Sequence, residues 1–152
     1  MSIEEVKDLL VFLKPFAKQQ KDTALWLRDW IWKQYPTTNE LIYDNYNALA
    51  FGWSVSDKQG DTFCHVAVGS KAVNFGLYRG AVIPDPEKKF FGSGNQARHI
   101  KVFDVKDFPK EYVGKMVKEA YINACLRLGD KEQVHSGLTI VKSISEKKRR
   151  PS

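Results

Sequence analysis

From Ala48 to Val55 large and small side chains alternate without a break: Leu49, Phe51, Trp53 and Val55 against Ala48, Ala50, Gly52 and Ser54. Only an extended strand with two unlike faces satisfies a period of two over eight residues. The next segments of the chain repeat the theme. Asp57-Lys58-Gln59-Gly60 reads as a hairpin turn, with Gly60 supplying a positive φ. Thr62 to Val68 is the next strand. After a tight turn at Gly69-Ser70 comes Ala72 to Tyr78, with Val73, Phe75 and Leu77 on one face. Leu41 to Tyr43 precedes the set and Ala97 to Phe103 completes it. Short turns between such strands build an antiparallel, mostly meandering sheet of about five strands.

Helices flank the strands. Ser2 and Glu5 have the spacing of a capping box, and Ile3, Val6, Leu9, Leu10 and Leu13 follow at helical spacing until Pro15. A second helix is expected from about Asp22 to Gln34. It carries one stripe of Ala24, Leu27, Ile31 and Tyr35 and another of Trp26 and Trp30, so it is buried on more than one side. A third runs from about Pro109 to Leu128. Its core stripe includes Val113, Met116, Val117, Ala120 and Ala124, and it stops at Gly129. Residues after about Thr139 are expected to fray, with Leu138, Ile140 and Val141 as the one apolar set able to add an edge element. The expected class is therefore α+β: a single domain over residues 1–142, with residues 143–152 a basic, disordered tail.

A chain of 152 residues suits one ordinary domain, which buries roughly 70% of its unfolded surface and needs no disulfide or metal to fold. The longest apolar run, Leu9 to Leu13, is far short of the roughly 18 residues that would suggest a membrane span. Glu4 and Glu5 stand where a signal peptide wants positive charge. These features point to a cytoplasmic protein without membrane association. Cys64 on a strand and Cys125 on a helix read as buried thiols rather than a bridge. The tail holds Lys147, Lys148, Arg149 and Arg150 against Glu146, half of the formal net charge of +6. The rest of the chain lacks the clustered basic footprint of a nucleic-acid binder, which leaves nucleic acid only a weak hold on the tail.

Several residues could carry chemistry. Gly92-Ser93-Gly94 leads into a strand, whereas a dinucleotide fingerprint opens a helix. The glycines serve either a tight turn or a nest of backbone N–H groups facing an anion, helped by Arg79, Arg98 or Lys101. Arg98 shares strand parity with Ile100 and Val102, so it points inward or lies at the sheet's end. An inward guanidinium needs a carboxylate, with Asp44 and Asp85 the first candidates, or several carbonyls. Its role is an anchoring salt bridge or substrate binding. His99 has the opposite parity, and no two of His65, His99 and His135 sit at metal-ligand spacing. Tyr43-Asp44-Asn45-Tyr46-Asn47 serves either a turn or a pocket wall. No nucleophile elbow, P-loop or metalloprotease helix is present.

Tyr43 through Gly52, together with Gly76-Leu77-Tyr78-Arg79-Gly80, Pro84-Asp85-Pro86 and Gly92-Ser93-Gly94 through Arg98-His99-Ile100, resembles the YdhG-like family (domain of unknown function 1801) over about residues 8 to 128. The resemblance implies a small α+β fold with an antiparallel sheet backed by terminal helices. It also implies, for one branch, a frataxin-like iron chaperone. Iron delivery of that kind wants exposed carboxylates, whereas the acids here are scattered (Glu4, Glu5, Asp8, Asp22 and Asp29). Residues and resemblance together lead to an expected non-enzymatic binding domain without a resident cofactor. It would take a small, anionic ligand or a protein partner between Tyr43, Asp44, Tyr46, Asn47, Arg79, Gly92, Gly94, Arg98 and His99. Iron handling and weak nucleic-acid association are the alternatives.

Overall fold

The computed structural model of the chain describes residues 3–46, 48–93, 97–129 and 137–146. Helices α1 (Ile3–Leu13) and α2 (Lys18–Gln34) come first, then strands β1 (Asn39–Asp44), β2 (Leu49–Ser54), β3 (Thr62–Val68), β4 (Val73–Leu77) and β5 (Arg98–Val102). Helix α3 (Lys110–Leu128) and strand β6 (Thr139–Ile144) close the order. The strands form one sheet in the order β5-β4-β3-β2-β1-β6.

The first five strands are the expected antiparallel meander, but the sheet is mixed and has six strands. Strand β6 returns beside β1 in parallel, which a chain can do only through a long crossover such as α3. β6 also takes in Ser143 and Ile144, residues that composition assigned to the tail. The second helix starts four residues before the expected Asp22, because Lys18 to Lys21 are good helix formers without a breaker. Ser2 lies outside the described residues. The β2–β3 connection is wider than a two-residue hairpin. A 3-10 turn spans Gln59–Asp61, and Gly60 does not adopt the left-handed backbone.

Register separates the two faces of the sheet. Ile42 stands opposite Phe51, Phe51 opposite Val66, Val66 opposite Phe75 and Phe75 opposite Ile100. This row belongs to the apolar core, with Leu9 and Leu13 of α1, Leu27 and Ile31 of α2, and Val113 and Val117 of α3. The expected aromatic stripe of α2 lies across it: Trp30 meets Phe75 edge-on at 6.0 Å and Phe108 at 5.2 Å. The adjacent row, Leu41–Gly52–His65–Gly76–His99, faces the other way. A β-bulge where β3 meets the end of β2 breaks the alternation. It turns Phe63 towards Tyr35 and Tyr121 of the helices, 5.2 and 5.3 Å away. It thereby places Thr62 beside Ser54 on the open face, re-aiming a side chain as bulges do.

One ionic group is sealed between helix and sheet. Arg28 of α2 donates from Nε to Glu40 Oε2 and from Nη2 to Glu40 Oε1, both at 2.7 Å. Thr139 Oγ1 of β6 donates to the same Oε1 at 2.8 Å. Glu40 is wholly buried and Arg28 nearly so. A planar guanidinium fork meeting both carboxylate oxygens is the geometry in which a buried pair is tolerated. The pair joins α2, β1 and β6, so it fixes where the parallel strand docks.

Candidate functional site

On the open face the sheet carries small residues where the opposite face carries large ones. Ala50 and Gly52 of β2 are the small members of the alternating run, and Ala67 and Gly76 continue the surface on β3 and β4. Gly52 has no room for a side chain: a Cβ there would lie 3.0 Å from Thr62 Cγ2 and 3.1 Å from the Cys64 carbonyl oxygen. Gly76 has less, since its Cβ would fall 2.2 Å from His65 Cε1. The His65 imidazole therefore lies over the bare backbone of β4.

Taller groups stand around this floor and enclose a cavity of about 240 Å3. Tyr43 and Asn45 form one wall from β1 and its end. Tyr78 forms another, meeting the His65 ring edge-on at 5.3 Å. The 3-10 turn contributes Gln59, whose Nε2 donates to Tyr78 Oη at 3.1 Å, and Thr62 fills the corner that the bulge created. Asn45 is steadied from β6 by Ser143 Oγ, which donates to its Oδ1 at 2.7 Å.

The electrostatics are set by burial. Burial, then the nearby His99, pushes His65 down to about 4, so at neutral pH the ring is uncharged. Its Nδ1 is shielded from solvent and has no hydrogen-bond partner among the described residues. Burial, then the neighbouring Tyr78, raises the Tyr43 hydroxyl. Burial alone pushes the Cys64 thiol well up, which leaves it a packing residue rather than a nucleophile.

The described residues among the nine singled out in the sequence are spread over several strands and both faces of the sheet. Tyr43 lines the cavity and His99 extends the row that carries His65. Asp44 has the opposite parity to Tyr43 and is buried, while Tyr46 is exposed. Asn47 and Gly94 lie outside the described residues. Three strands separate β1 from β5, which at about 4.8 Å per strand step puts Tyr43 and Arg98 roughly 19 Å apart. Arg98 keeps the parity of the core face at the end of an edge strand. It is half-buried, packs by its Cβ over Gly80, and donates from Nη1 to the Ala97 and Ser93 carbonyls at 2.8 and 3.4 Å. Gly92 has φ 140°, the positive value that a tight turn implies. Arg79 is exposed and left-handed, with φ 57°. Asp85 serves its own loop: its carboxylate accepts from Lys89 N and Phe90 N at 3.1 and 2.9 Å and from the Tyr112 hydroxyl. Burial acts upward on its pKa, but these hydrogen bonds outweigh it and hold the carboxyl below its ordinary value.

No motif in the sequence marks His65, Gly52, Gly76, Thr62, Gln59 and Tyr78 as a group. The available signal was the small half of the Ala48–Val55 alternation, which marks a face left bare. Two other hollows occur. One of about 190 Å3 lies beside Pro84, Pro86 and Tyr112, and a groove of about 600 Å3 runs along Trp26, Trp30 and Lys118. Among the described residues neither is lined by a side chain with a shielded, unpaired polar atom.

Comparison of the chain with protein-family models, with curated proteins and with solved structures gives no match. Among the described residues no group of three or more His, Cys, Asp or Glu could hold a metal ion. No helix among them is long and apolar enough to cross a membrane. Residues 147–152, which carry the basic cluster, lie outside the described set.

Proposed function

We propose that the protein is a non-enzymatic binding domain whose small-molecule ligand enters the open-face cavity between Tyr43, His65 and Tyr78. One observation carries this reading: a histidine nitrogen is shielded and unpaired in a ring that lines the cavity beside Gly52 and lies over the bare backbone of Gly76. An unpaired buried polar atom costs about 1–3 kcal/mol, and a protein keeps such an arrangement where a bound molecule or a rearrangement on binding offsets the cost. The arginine and glycine segment around Gly92 belongs to the far edge of the sheet, where its contacts serve the turn. Membership of the YdhG-like family is part of this proposal and rests on the Tyr43–Gly52, Gly76–Gly80, Pro84–Pro86 and Gly92–Ile100 motifs.

The test is a small-molecule screen read by amide chemical shifts. Binding at the cavity moves the amides of Gly52, Thr62, Gly76 and Tyr78. The change is lost in His65→Ala, a variant that removes the ring and leaves the core face untouched. Hits confined to residues 92–98 would move the site to the arginine segment instead.

A further inference from the structure

The chemistry of the wall narrows the ligand. We propose that this cavity selects an uncharged, hydrogen-bonding molecule of fragment size, such as a flat primary amide, over a carboxylate of the same shape. The inference rests on the reading of the cavity as a ligand site and adds to it a class of ligand.

Among the described residues, no formally charged side chain lines the cavity. A carboxylate entering it leaves its hydration behind and meets no cation, and desolvation without a paired charge is strongly unfavourable. Arg98 cannot supply one, because it keeps the parity of the opposite face of the sheet and its guanidinium is held by the Ala97 and Ser93 carbonyls. His65, the one lining group able to become a cation, is held neutral by burial and by His99. An ammonium is disfavoured by the same reasoning, since the wall includes no Asp or Glu.

The hydrogen-bonding capacity, in contrast, is mixed and partly unspent. Tyr78 Oη accepts from Gln59, which leaves its own O–H to donate. Thr62 and Tyr43 each add a hydroxyl that can donate or accept. A primary amide offers two donors and one acceptor on one planar group, so it can satisfy such a wall from a single position. The volume of about 240 Å3 falls below the roughly 300–1,000 Å3 of drug-sized sites, which sets the scale at a fragment. The bare floor over Gly52 and the upright rings of Tyr43 and Tyr78 favour a flat molecule.

Benzamide and benzoate, matched in shape and differing in charge, decide the matter in an amide-shift titration of the full chain at pH 7. Nicotinamide and nicotinate form a second pair. The expected result is that both amides move Gly52, Thr62, Gly76 and Tyr78, at least about tenfold more tightly than the acids, a difference of about 1.4 kcal/mol. Thr62→Val, which keeps shape and loses a hydroxyl, should weaken benzamide by several-fold while the fold is retained. Acids binding at those amides as tightly as the amides overturn the neutral preference and leave the site standing. If neither pair moves them, and a broader fragment set also fails there, the cavity itself is not a ligand site.

Discussion

The two faces of the central sheet obey opposite rules. On the helix-covered face Phe51, Trp53, Val66 and Phe75 are fully buried, and the charges of Arg28 and Glu40 meet in a doubly hydrogen-bonded pair. Unpaired polar atoms occur there too, at Gln20 Oε1, Trp32 Nε1 and Trp53 Nε1 among the described residues, but the volume around them is filled. On the open face glycine and alanine stand in place of the large side chains. His65 Nδ1 and Asn74 Oδ1 are unpaired there among the described residues, and the His65 ring lines the cavity. A face built for stability fills its volume and pairs its charges. A face that leaves volume open beside an unsatisfied imidazole is the one on which the proposed ligand would sit.

The contrast breaks first, and most visibly, at Glu40. Removing one partner of a buried pair strands the other and costs about 3–5 kcal/mol. Glu40→Ala should therefore lose that much in urea denaturation. The double variant Arg28→Met with Glu40→Leu should lose less than Glu40→Ala alone, because it leaves no stranded charge. A loss under about 1 kcal/mol for Glu40→Ala would mean that the pair is solvated and that the two faces are less different than they look.

His65 tests the open face through pH. Its folded pKa of about 4 lies below the ordinary 6.5, so between those values the unfolded chain binds a proton that the folded chain refuses. The stabilisation is complete above pH 6.5 and is lost as pH falls towards 4. Its limit is roughly 3 kcal/mol at 1.36 kcal/mol per pKa unit. Asp85 has the other kind of shift, a carboxyl held below 3.8, so its contribution is present above that value and disappears only below it. His65→Gln should flatten the stability curve between pH 6.5 and 4 and leave the steeper acid limb in place. An unchanged slope would show that the ring is solvated.

Gly76 sharpens the same point. A methyl group there meets the imidazole at 2.2 Å, and overpacking of this kind costs about 1–3 kcal/mol. Gly76→Ala should show that loss in thermal melts, and much of it should return in the double variant with His65→Ala, since the clash is between those two groups. Failure of the second change to restore stability would place the need for glycine in the backbone rather than beneath the ring.

Much of the scaffold was legible in the residues. The alternation of Ala48–Val55 and the stripes of α2 and α3 are local periodicities, and local periodicity survives folding. Ile140 and Val141, read as able to add an edge element, lie in the edge strand β6, but its parallel pairing was not legible, because its partner β1 is about a hundred positions away and no short turn announces the pairing. The bulge at Phe63 left only a faint trace, the adjacent apolar pair Phe63-Cys64 in a strand otherwise of period two, and the shift itself comes from what Ser54 pairs with. The site suffered most from this: Thr62, Tyr78 and Gln59 approach Tyr43 only through four strands of register. Arg98 drew attention by its parity, and the parity was right. Its guanidinium bonds the Ala97 and Ser93 carbonyls at an exposed position, so the parity pointed to a turn clamp at the sheet's end.

The smallest effect belongs to the long loop between β4 and β5, which has a paired carboxylate where the open face has an unpaired imidazole. Asp85 receives the amides of Lys89 and Phe90 and the Tyr112 hydroxyl, and Phe90 is buried behind it. Asp85→Ala removes all three acceptor contacts at a partly exposed position, where each is worth about 1 kcal/mol at most after solvent competition. The expected loss in global stability is therefore about 1 kcal/mol. The larger change should be local: amide exchange at Lys89 and Phe90 should quicken several-fold while the β2 and β3 amides hold their protection. Tyr112→Phe should give a fraction of that change, since it removes one of the three contacts. If exchange quickened equally across β2 and β3, the loop would be part of the same cooperative unit as the sheet, and the cavity on the open face would share its rigidity with residues at the far edge.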